Sequence, residues 1–447
     1  MDYVPMTDAE RREMLARIGV KSVEDLFEDI PEQVRLRRPL NLPPPMSEAE
    51  LLAHMRSLAA RNADLDRYTS FLGAGAYDHL IPSVVRHVLS RSEFYTAYTP
   101  YQAEVSQGVL QTIFEYQTLV CQLTGLDAAN ASMYDGASAA AEAALMAVGA
   151  TGRRRVAVSA AVHPEYRRVM ATYLGNQDVA LDTVPWRMGV TNLDALQQAA
   201  GTDLAAVVVQ NPNFFGSIEE MQAASEIAHR AGALFVAVVD PISLGILAPP
   251  GEYGADIAVG EGQGLGNAIG FGGPYLGFFA ARRDLIRRMP GRIAGVTRDV
   301  DGRRGFVLTL QTREQHIRRE RATSNICTNQ ALNALAATAY LAMIGRQGIR
   351  RVGELCVQRS HYAYEALTGI PGIRPMWDAP FFKEFVVEMD GEIPEILTRL
   401  WQEYSIIGGL PLGNFYEGLE RGVLWCVTEA RTREDIDRLA GVLRQLA

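Results

Sequence analysis

The chain has 447 residues, 48% of them hydrophobic and 21% charged, so it can bury a large core and should form a soluble globular protein of two or three domains. Its net charge of −9 argues against a nucleic-acid-binding protein. The four cysteines are far apart in the sequence, which excludes a disulfide framework and favours the reducing cytoplasm. No His, Cys and carboxylate residues stand at the spacing of metal ligands, so we expect no metal site.

Residues 1–95 are predicted to form an N-terminal helical arm. Residues 7–18 begin with a capping-box pattern, and residues 47–62 resume helical periodicity after the proline-rich connector 39–45. Because the arm is too polar to fold around a core of its own, we expect it to wrap a partner or the next domain.

Residues 96–328 are predicted to form a large α/β domain. Helices are expected at 108–123, 139–148 and 217–231, between short runs rich in valine and alanine. Because these runs are apolar on both faces and alternate with helices, they indicate a parallel sheet that is covered on both sides. The predicted strands are residues 155–159, 179–184, 204–210, 234–240 and 256–259.

Residues 329–447 are predicted to form a smaller C-terminal α+β domain. It should begin with a long helix at 329–344 and end with a helix at 433–446. The longest uncharged stretch of the chain, 264–280, is broken by glycines and a proline, so it does not have the pattern of a membrane-spanning helix.

Lysine is rare in this chain: of the 43 basic residues only Lys21 and Lys383 are lysines. Neither follows a glycine, which excludes a Walker-type phosphate loop. Imine chemistry would need one of these two amines or an amine of another chain. Lys383 lies in the alternating segment 381–387, which predicts a C-terminal strand with this lysine facing solvent.

Two positions of the α/β domain are candidates for binding a ligand. Ser138 is a predicted N-cap, and the small residues around it would let an anion approach the start of the alanine-rich helix; an ordinary cap before a tightly packed helix is the alternative. Asp240 ends a predicted buried strand, where it could pair with the protonated ring nitrogen of pyridoxal phosphate or simply cap the next turn.

The glycine-rich segment 260–274 lacks the Gly-x-Gly-x-x-Gly register of a dinucleotide site. In a pyridoxal-phosphate enzyme of this architecture, the imine-forming lysine lies about two dozen residues after the aspartate. That position is Gln263, whose amide cannot form an imine. His163, just after a predicted strand, could stack on a cofactor ring or be a loop histidine with satisfied hydrogen bonds.

The segment from Arg282 to Arg321 is strongly basic, with 12 arginines and five acids, a local charge of +7. Arginine forks suit carboxylate and phosphate recognition. We therefore hypothesise that this segment, especially residues 316–321, faces an acidic partner or the active site of a partner subunit. A solvated helix face with internal ion pairs is the alternative.

Several motifs together resemble one known family. They are Tyr-Thr-Pro-Tyr-Gln-Ala-Glu-Val-Ser-Gln-Gly at 98–108, Phe-Glu-Tyr-Gln-Thr at 114–118, the segment 124–132, and Gln-Thr-Arg-Glu-Gln-His-Ile-Arg-Arg-Glu at the start of 311–328. They resemble the P-protein of the glycine cleavage system over nearly the whole chain. The chain is about half as long as the fused P-protein and is similar to the N-terminal-half subunit of the split bacterial form, subunit 1.

The resemblance implies a pyridoxal-phosphate-dependent transferase of fold type I, with a large parallel-sheet domain, a smaller C-terminal α+β domain and an N-terminal helical arm. It implies that Gln263 occupies the position of the Schiff-base lysine, so the cofactor would be bound covalently by subunit 2 and not by this chain. Ser138, His163 and Asp240 would be a remnant cofactor pocket.

The resemblance also implies an activity and partners. As an α2β2 glycine dehydrogenase (decarboxylating), an oxidoreductase, the two subunits would decarboxylate glycine and transfer the aminomethyl group to the lipoyl arm of the H-protein. From this chain Tyr98, Thr99, Tyr101 and Gln102 are expected to reach the partner's cofactor; a buried subunit contact is the alternative.

The sequence is also compatible with two other functions. A self-sufficient pyridoxal-phosphate enzyme, such as an aminotransferase, would need an internal lysine at the cofactor. A non-catalytic structural subunit of a pyridoxal-phosphate complex would need none.

Overall fold

The computed structural model describes residues 6–322 and 324–446, so Thr323 of the long basic motif lies outside the described residues. The chain divides into two units, Met1–Ala63 and Asp64–Ala447. The division into three domains made from the sequence stays a prediction.

The first unit contains helices α1 (Asp8–Ile18) and α2 (Glu48–Ala59), which confirms both predicted helices. Each begins with a reciprocal capping box, formed by Thr7 in α1 and by Ser47 in α2. None of the described residues of this unit is buried, which agrees with a segment too polar to form its own core.

The helices of the second unit are α3 (Ser83–Leu89), α4 (Ser92–Tyr95), α5 (Gln107–Thr124), α6 (Gly136–Thr151), α7 (Pro164–Gly175), α8 (Leu193–Ala199), α9 (Met221–Arg230), α10 (Gln315–Arg318), α11 (Ala331–Thr368), α12 (Ile393–Tyr404) and α13 (Arg433–Leu446). No helix in the described ranges is both long and apolar enough to cross a membrane. The predicted end of the long helix, Ile344, falls directly before Gly345, whose non-helical backbone kinks α11.

The strands are β1 (Thr69–Ser70), β2 (Ala128–Ala129), β3 (Arg155–Ser159), β4 (Ala180–Val184), β5 (Trp186–Arg187), β6 (Val190–Thr191), β7 (Leu204–Asn211), β8 (Leu234–Val239), β9 (Ile257–Glu261), β10 (Gly277–Ala281), β11 (Ile293–Arg298), β12 (Arg304–Thr309), β13 (Ile373–Pro375), β14 (Glu384–Met389), β15 (Ile406–Ile407), β16 (Leu410–Pro411) and β17 (Gly422–Cys426).

The central sheet has the order β2-β10-β9-β8-β7-β3-β4, with β9, β8, β7, β3 and β4 parallel and β10 antiparallel to its neighbours. Alternate residues of β7 and β8 enter two different hydrophobic clusters: Val207 and Phe235 pack in one, Val208 and Val236 in the other. The sheet is therefore buried on both faces, as the doubly apolar runs predict.

A second, antiparallel sheet has the order β13-β14-β17-β16 and packs with α11, α12 and α13 around its own cluster of buried residues, including Trp425 and Leu439. This sheet places the start of β14 near the carboxyl-terminal edge of the central sheet, because the residues before and at its start line a cavity with Asp240, which follows β8, and Glu261, the last residue of β9.

Candidate functional site

Three polar side chains meet at the carboxyl-terminal edge of the central sheet, where ligands of parallel sheets bind. Asp240 follows β8, Glu261 is the last residue of β9, and His163 lies shortly after β3. All three line one cavity. Two of the three residues predicted for a remnant pocket, His163 and Asp240, are thus brought together, whereas Ser138 lines a separate groove.

Lys383 lies in this cavity, so the solvent-facing orientation predicted for it is wrong. Its side chain is 2% exposed, and its Nζ lies 2.6 Å from Oδ2 of Asp240. Nζ also lies 3.1 Å from Nε2 of His79 and 3.4 Å from the centre of the Tyr77 ring. An alternating pattern indicates a strand but does not show what covers each of its faces. Here Tyr77 and His79 cover the face on which Lys383 was expected to meet solvent.

Lys383 remains charged in this environment. Burial has the largest single effect and lowers the pKa of its amine, but the charge and hydrogen bond of Asp240, together with the nearby thiols of Cys426 and Cys356, outweigh it, so the pKa of Lys383 lies above its ordinary value. An unpaired buried charge would be strongly unfavourable, and the ion pair with Asp240 is what permits the burial.

The neighbouring Glu384 is also buried and is held by two donors. Its Oε1 accepts from the backbone N–H of Ala74 at 2.6 Å, and its Oε2 accepts from the hydroxyl of Tyr77 at 2.8 Å. Burial raises the pKa of Glu384 to about 7, although Lys383 and these hydrogen bonds oppose the increase. The Tyr77 ring is thereby fixed over the Lys383 ammonium.

Gln263 uses all of its side-chain amide to hold two loops. Its Oε1 accepts from the backbone N–H of Tyr77 at 2.8 Å, and its Nε2 donates to the carbonyl oxygens of Tyr77 at 3.0 Å and Asn267 at 2.7 Å. The side chain is buried. The residue at the predicted Schiff-base position therefore has a structural role in fixing the segment that carries Tyr77.

The start of α6 is occupied by carboxylates of the chain itself. The N-cap is Asp135, whose Oδ1 accepts a hydrogen bond from the N–H of Ser138 at 2.7 Å. The prediction that Ser138 is the N-cap is therefore wrong. Ser138 is the third residue of the helix, and its side chain completes a capping box with Asp135. The N–H of Gly136 donates to Oε2 of Glu261 at 3.0 Å. Burial raises the pKa of Glu261 to about 7.

His163 is packed among aromatic side chains. Its ring stacks on Tyr166 with centroids 4.9 Å apart and meets Phe214 edge-on at 4.7 Å. Its Nε2 lies 2.9 Å from the carbonyl oxygen of Ala74, and burial lowers its pKa. One face of the His163 ring is thus engaged by Tyr166.

The cavity left between these groups is about 30 Å³, room for about one or two water molecules. A pyridinium ring would need the Asp240 carboxylate, which Lys383 holds, and a phosphate would need the start of α6, which Glu261 holds. An imine would need an amine where Gln263 stands. The residues present in this chain therefore do not fit pyridoxal phosphate.

The four residues predicted to reach a partner's cofactor lie elsewhere, in the loop between α4 and α5. Tyr98 is 80% exposed, and it lines a shallow groove together with Thr99. The hydroxyl of Tyr101 accepts a hydrogen bond from Arg292 at 2.9 Å. Tyr98, Thr99, Tyr101 and Gln102 are separate from the Asp240 cavity, and their predicted role stays a prediction.

The basic segment Arg282–Arg321 divides into buried and exposed arginines. Arg313 is buried and donates to the carbonyl oxygens of Leu310, Met289 and Gly291. Arg318 and Arg319 are exposed and follow in the short helix α10 and the turn after it. The hypothesis of an acidic contact therefore concerns the exposed arginines only.

Within the described part of the chain, His79, Cys356 and Glu429 bring ligand-type atoms within 4.8 Å of one another. Nδ1 of His79 lies 2.7 Å from Oε2 of Glu429, and the Lys383 ammonium lies beside the other ring nitrogen. A second cation would be repelled by that ammonium. The expectation of no metal site stays a prediction.

Sequence reasoning missed Tyr77, His79, Glu261, Glu384 and Glu429. Only Glu261 had a usable signal, because it lies in the glycine-rich segment 260–274, two residues after the carboxyl end of the predicted strand 256–259. The others come from segments that carry no motif.

The glycine cleavage system P-protein family matches residues 1–443. "Probable glycine dehydrogenase (decarboxylating) subunit 1" of Carboxydothermus hydrogenoformans is 58% identical over 443 residues, 99% of each chain. A crystal structure of glycine decarboxylase (P-protein) of the glycine cleavage system in inhibitor-bound form is 48% identical, with a TM-score of 0.90 and 100% of both chains covered.

A more distant structure, a C-DES variant with glycine linked to its pyridoxal phosphate cofactor, is 15% identical with a TM-score of 0.63, covering 85% of this chain and 97% of that one. It shows the fold alone. The predicted fold type I of pyridoxal-phosphate-dependent enzymes is confirmed, and the chain belongs to the glycine cleavage system P-protein family.

Proposed function

We propose that the chain is subunit 1 of a two-subunit glycine dehydrogenase (decarboxylating). With subunit 2, in an α2β2 assembly in the cytoplasm, it decarboxylates glycine and transfers the aminomethyl group to the lipoyl arm of the H-protein. The observation that carries the proposal is the full-length match to subunit 1 relatives in a chain whose own cofactor pocket is closed. We assign the covalently held pyridoxal phosphate to subunit 2, since Gln263 cannot form an imine.

The contribution of this chain is to complete the partner's active site through the loop before α5. The support is a concentration of exposed large side chains in this segment: Tyr98 is 80% exposed, and Tyr95 and Val105 beside it in the sequence are 56% and 79% exposed. Tyr101 is held in place by the buried guanidinium of Arg292, through the hydrogen bond and a ring contact at 5.3 Å. Tyrosine hydroxyls and the Gln102 amide can orient a substrate carboxylate or the lipoyl arm.

The test is exchange of the glycine carboxyl group with labelled bicarbonate in the presence of lipoylated H-protein. We expect activity from the two subunits together and none from this chain alone. Tyr98→Ala should lower kcat at least tenfold in an assembled enzyme, whereas Trp401→Ala, which removes another exposed aromatic ring on α12, should not. Full activity of the Tyr98 variant in the assembled enzyme would instead support a purely structural subunit.

A further inference from the structure

The Asp240 cavity is a complete binding site for one ammonium group. Lys383 supplies that group, and its surroundings match the three N–H donors of an ammonium ion: a carboxylate oxygen of Asp240 at 2.6 Å, Nε2 of His79 at 3.1 Å and the face of Tyr77 at 3.4 Å. The Lys383 and His79 side chains are 2% and 1% exposed, so the group is removed from bulk water.

The hydrogen-bond network makes His79 an acceptor toward this group. Nδ1 of His79 lies 2.7 Å from Oε2 of Glu429, so the neutral tautomer that donates from Nδ1 leaves a lone pair on Nε2 for the Lys383 ammonium. Glu429 is in turn held by the backbone N–H of Leu80 at 2.8 Å. The acceptor is thus oriented by a second carboxylate that does not touch the ammonium.

A carboxylate of the same cavity occupies the anion position at the other end. Oε1 of Glu261 accepts from the N–H groups of Gln263 at 3.0 Å and Leu276 at 2.9 Å, and Oε2 accepts from the N–H of Gly136 at 3.0 Å. The Lys383 ammonium beside Asp240 is positive, and the Glu261 carboxylate at the start of α6 is negative. Two side chains of the chain itself thus reproduce the charge pattern of a zwitterionic ligand.

We infer that the cavity is an ammonium site that the chain fills with Lys383, and that removing this side chain would make the cavity bind a primary alkylammonium ion from solution. Lys383 thereby takes the place of a cationic ligand, and this subunit needs no cofactor to complete its fold. The inference rests on the geometry of the cavity and not on the proposed function.

The test uses the full chain with Lys383→Ala and n-propylammonium chloride, which corresponds to the deleted Cγ to Nζ atoms. Thermal unfolding and titration calorimetry should show saturable binding to the variant, at least tenfold tighter than that of the neutral isostere 1-propanol, and none to the wild type. Lys383→Ala/Asp240→Asn should lose this preference. Equal effects of propylammonium and propanol on Lys383→Ala would overturn the inference.

A second measurement needs no variant, because the chain has only two lysines. Reductive methylation of the folded wild type should modify the exposed Lys21 and leave Lys383 unmodified, and unfolding in urea should remove the difference. Modification of both lysines at the same rate in the folded chain would also overturn the inference, whether or not Lys383→Ala folds.

Discussion

Replacing Lys383 by methionine should destabilise the protein strongly, although methionine retains much of the aliphatic stem. The ammonium is removed while the Asp240 carboxylate stays, and the Asp240 side chain is 13% exposed, so solvent cannot fully replace the lost partner. Removing one member of a buried ion pair costs about 3–5 kcal/mol. We expect Lys383→Met to lower the free energy of unfolding by an amount in this range, with Asp240→Asn giving a loss of similar size.

The assay is equilibrium urea unfolding in a double-mutant cycle. Because Lys383→Met/Asp240→Asn removes both charges, it should be clearly more stable than the sum of the two single effects predicts. Arg399→Met, which breaks an exposed ion pair with Glu403, is the matched control and should have a far smaller effect. If Lys383→Met destabilises no more than this control, or if the two single effects simply add, the reasoning is refuted.

Three further predictions concern the same cavity and the basic surface. The pKa of Glu384 is raised to about 7 in the folded chain, so as the pH rises the unfolded state loses this proton at a lower pH than the folded state does. The free energy of unfolding should therefore fall by up to about 3 kcal/mol between about pH 4.5 and 7. Glu384→Gln should flatten this part of the curve of unfolding free energy against pH. Gln263→Lys should not produce aldimine absorbance with pyridoxal phosphate, because Lys383 already occupies Asp240; appearance of the band would contradict this. Arg318→Glu/Arg319→Glu should weaken assembly with subunit 2 at low salt, measured by size-exclusion chromatography. Unchanged assembly would contradict the hypothesis that these exposed arginines contact an acidic partner.

The regular elements could be predicted where the pattern is local. The bounds of β3 and α13 agree with the prediction, because a run of buried valines and a helical stripe each describe their own packing. The predicted N-cap of α6, Ser138, lies three residues after the observed N-cap, Asp135. A capping box contains two residues that can cap, and only the backbone conformation decides which one does. The kink at Gly345 marks where the predicted helix ended and the observed one continues.

The site could be predicted only at its sheet edge. Asp240 and His163 follow strands of one parallel sheet, so topology brings them together. Lys383 could not be placed, because its environment comes from Tyr77 and His79, more than 300 positions away along the chain. Period-two alternation identifies a strand but carries no information about what covers its faces.

The central claim, that this chain leaves covalent cofactor binding to its partner, is tested most directly by borohydride reduction of the assembled enzyme followed by mass measurement of each subunit. Reduction fixes pyridoxal phosphate on whichever lysine forms the imine. We expect a phosphopyridoxyl group on subunit 2 and an unchanged mass for this chain, whose only lysines are Lys21 and Lys383. A phosphopyridoxyl group on Lys383 would contradict it.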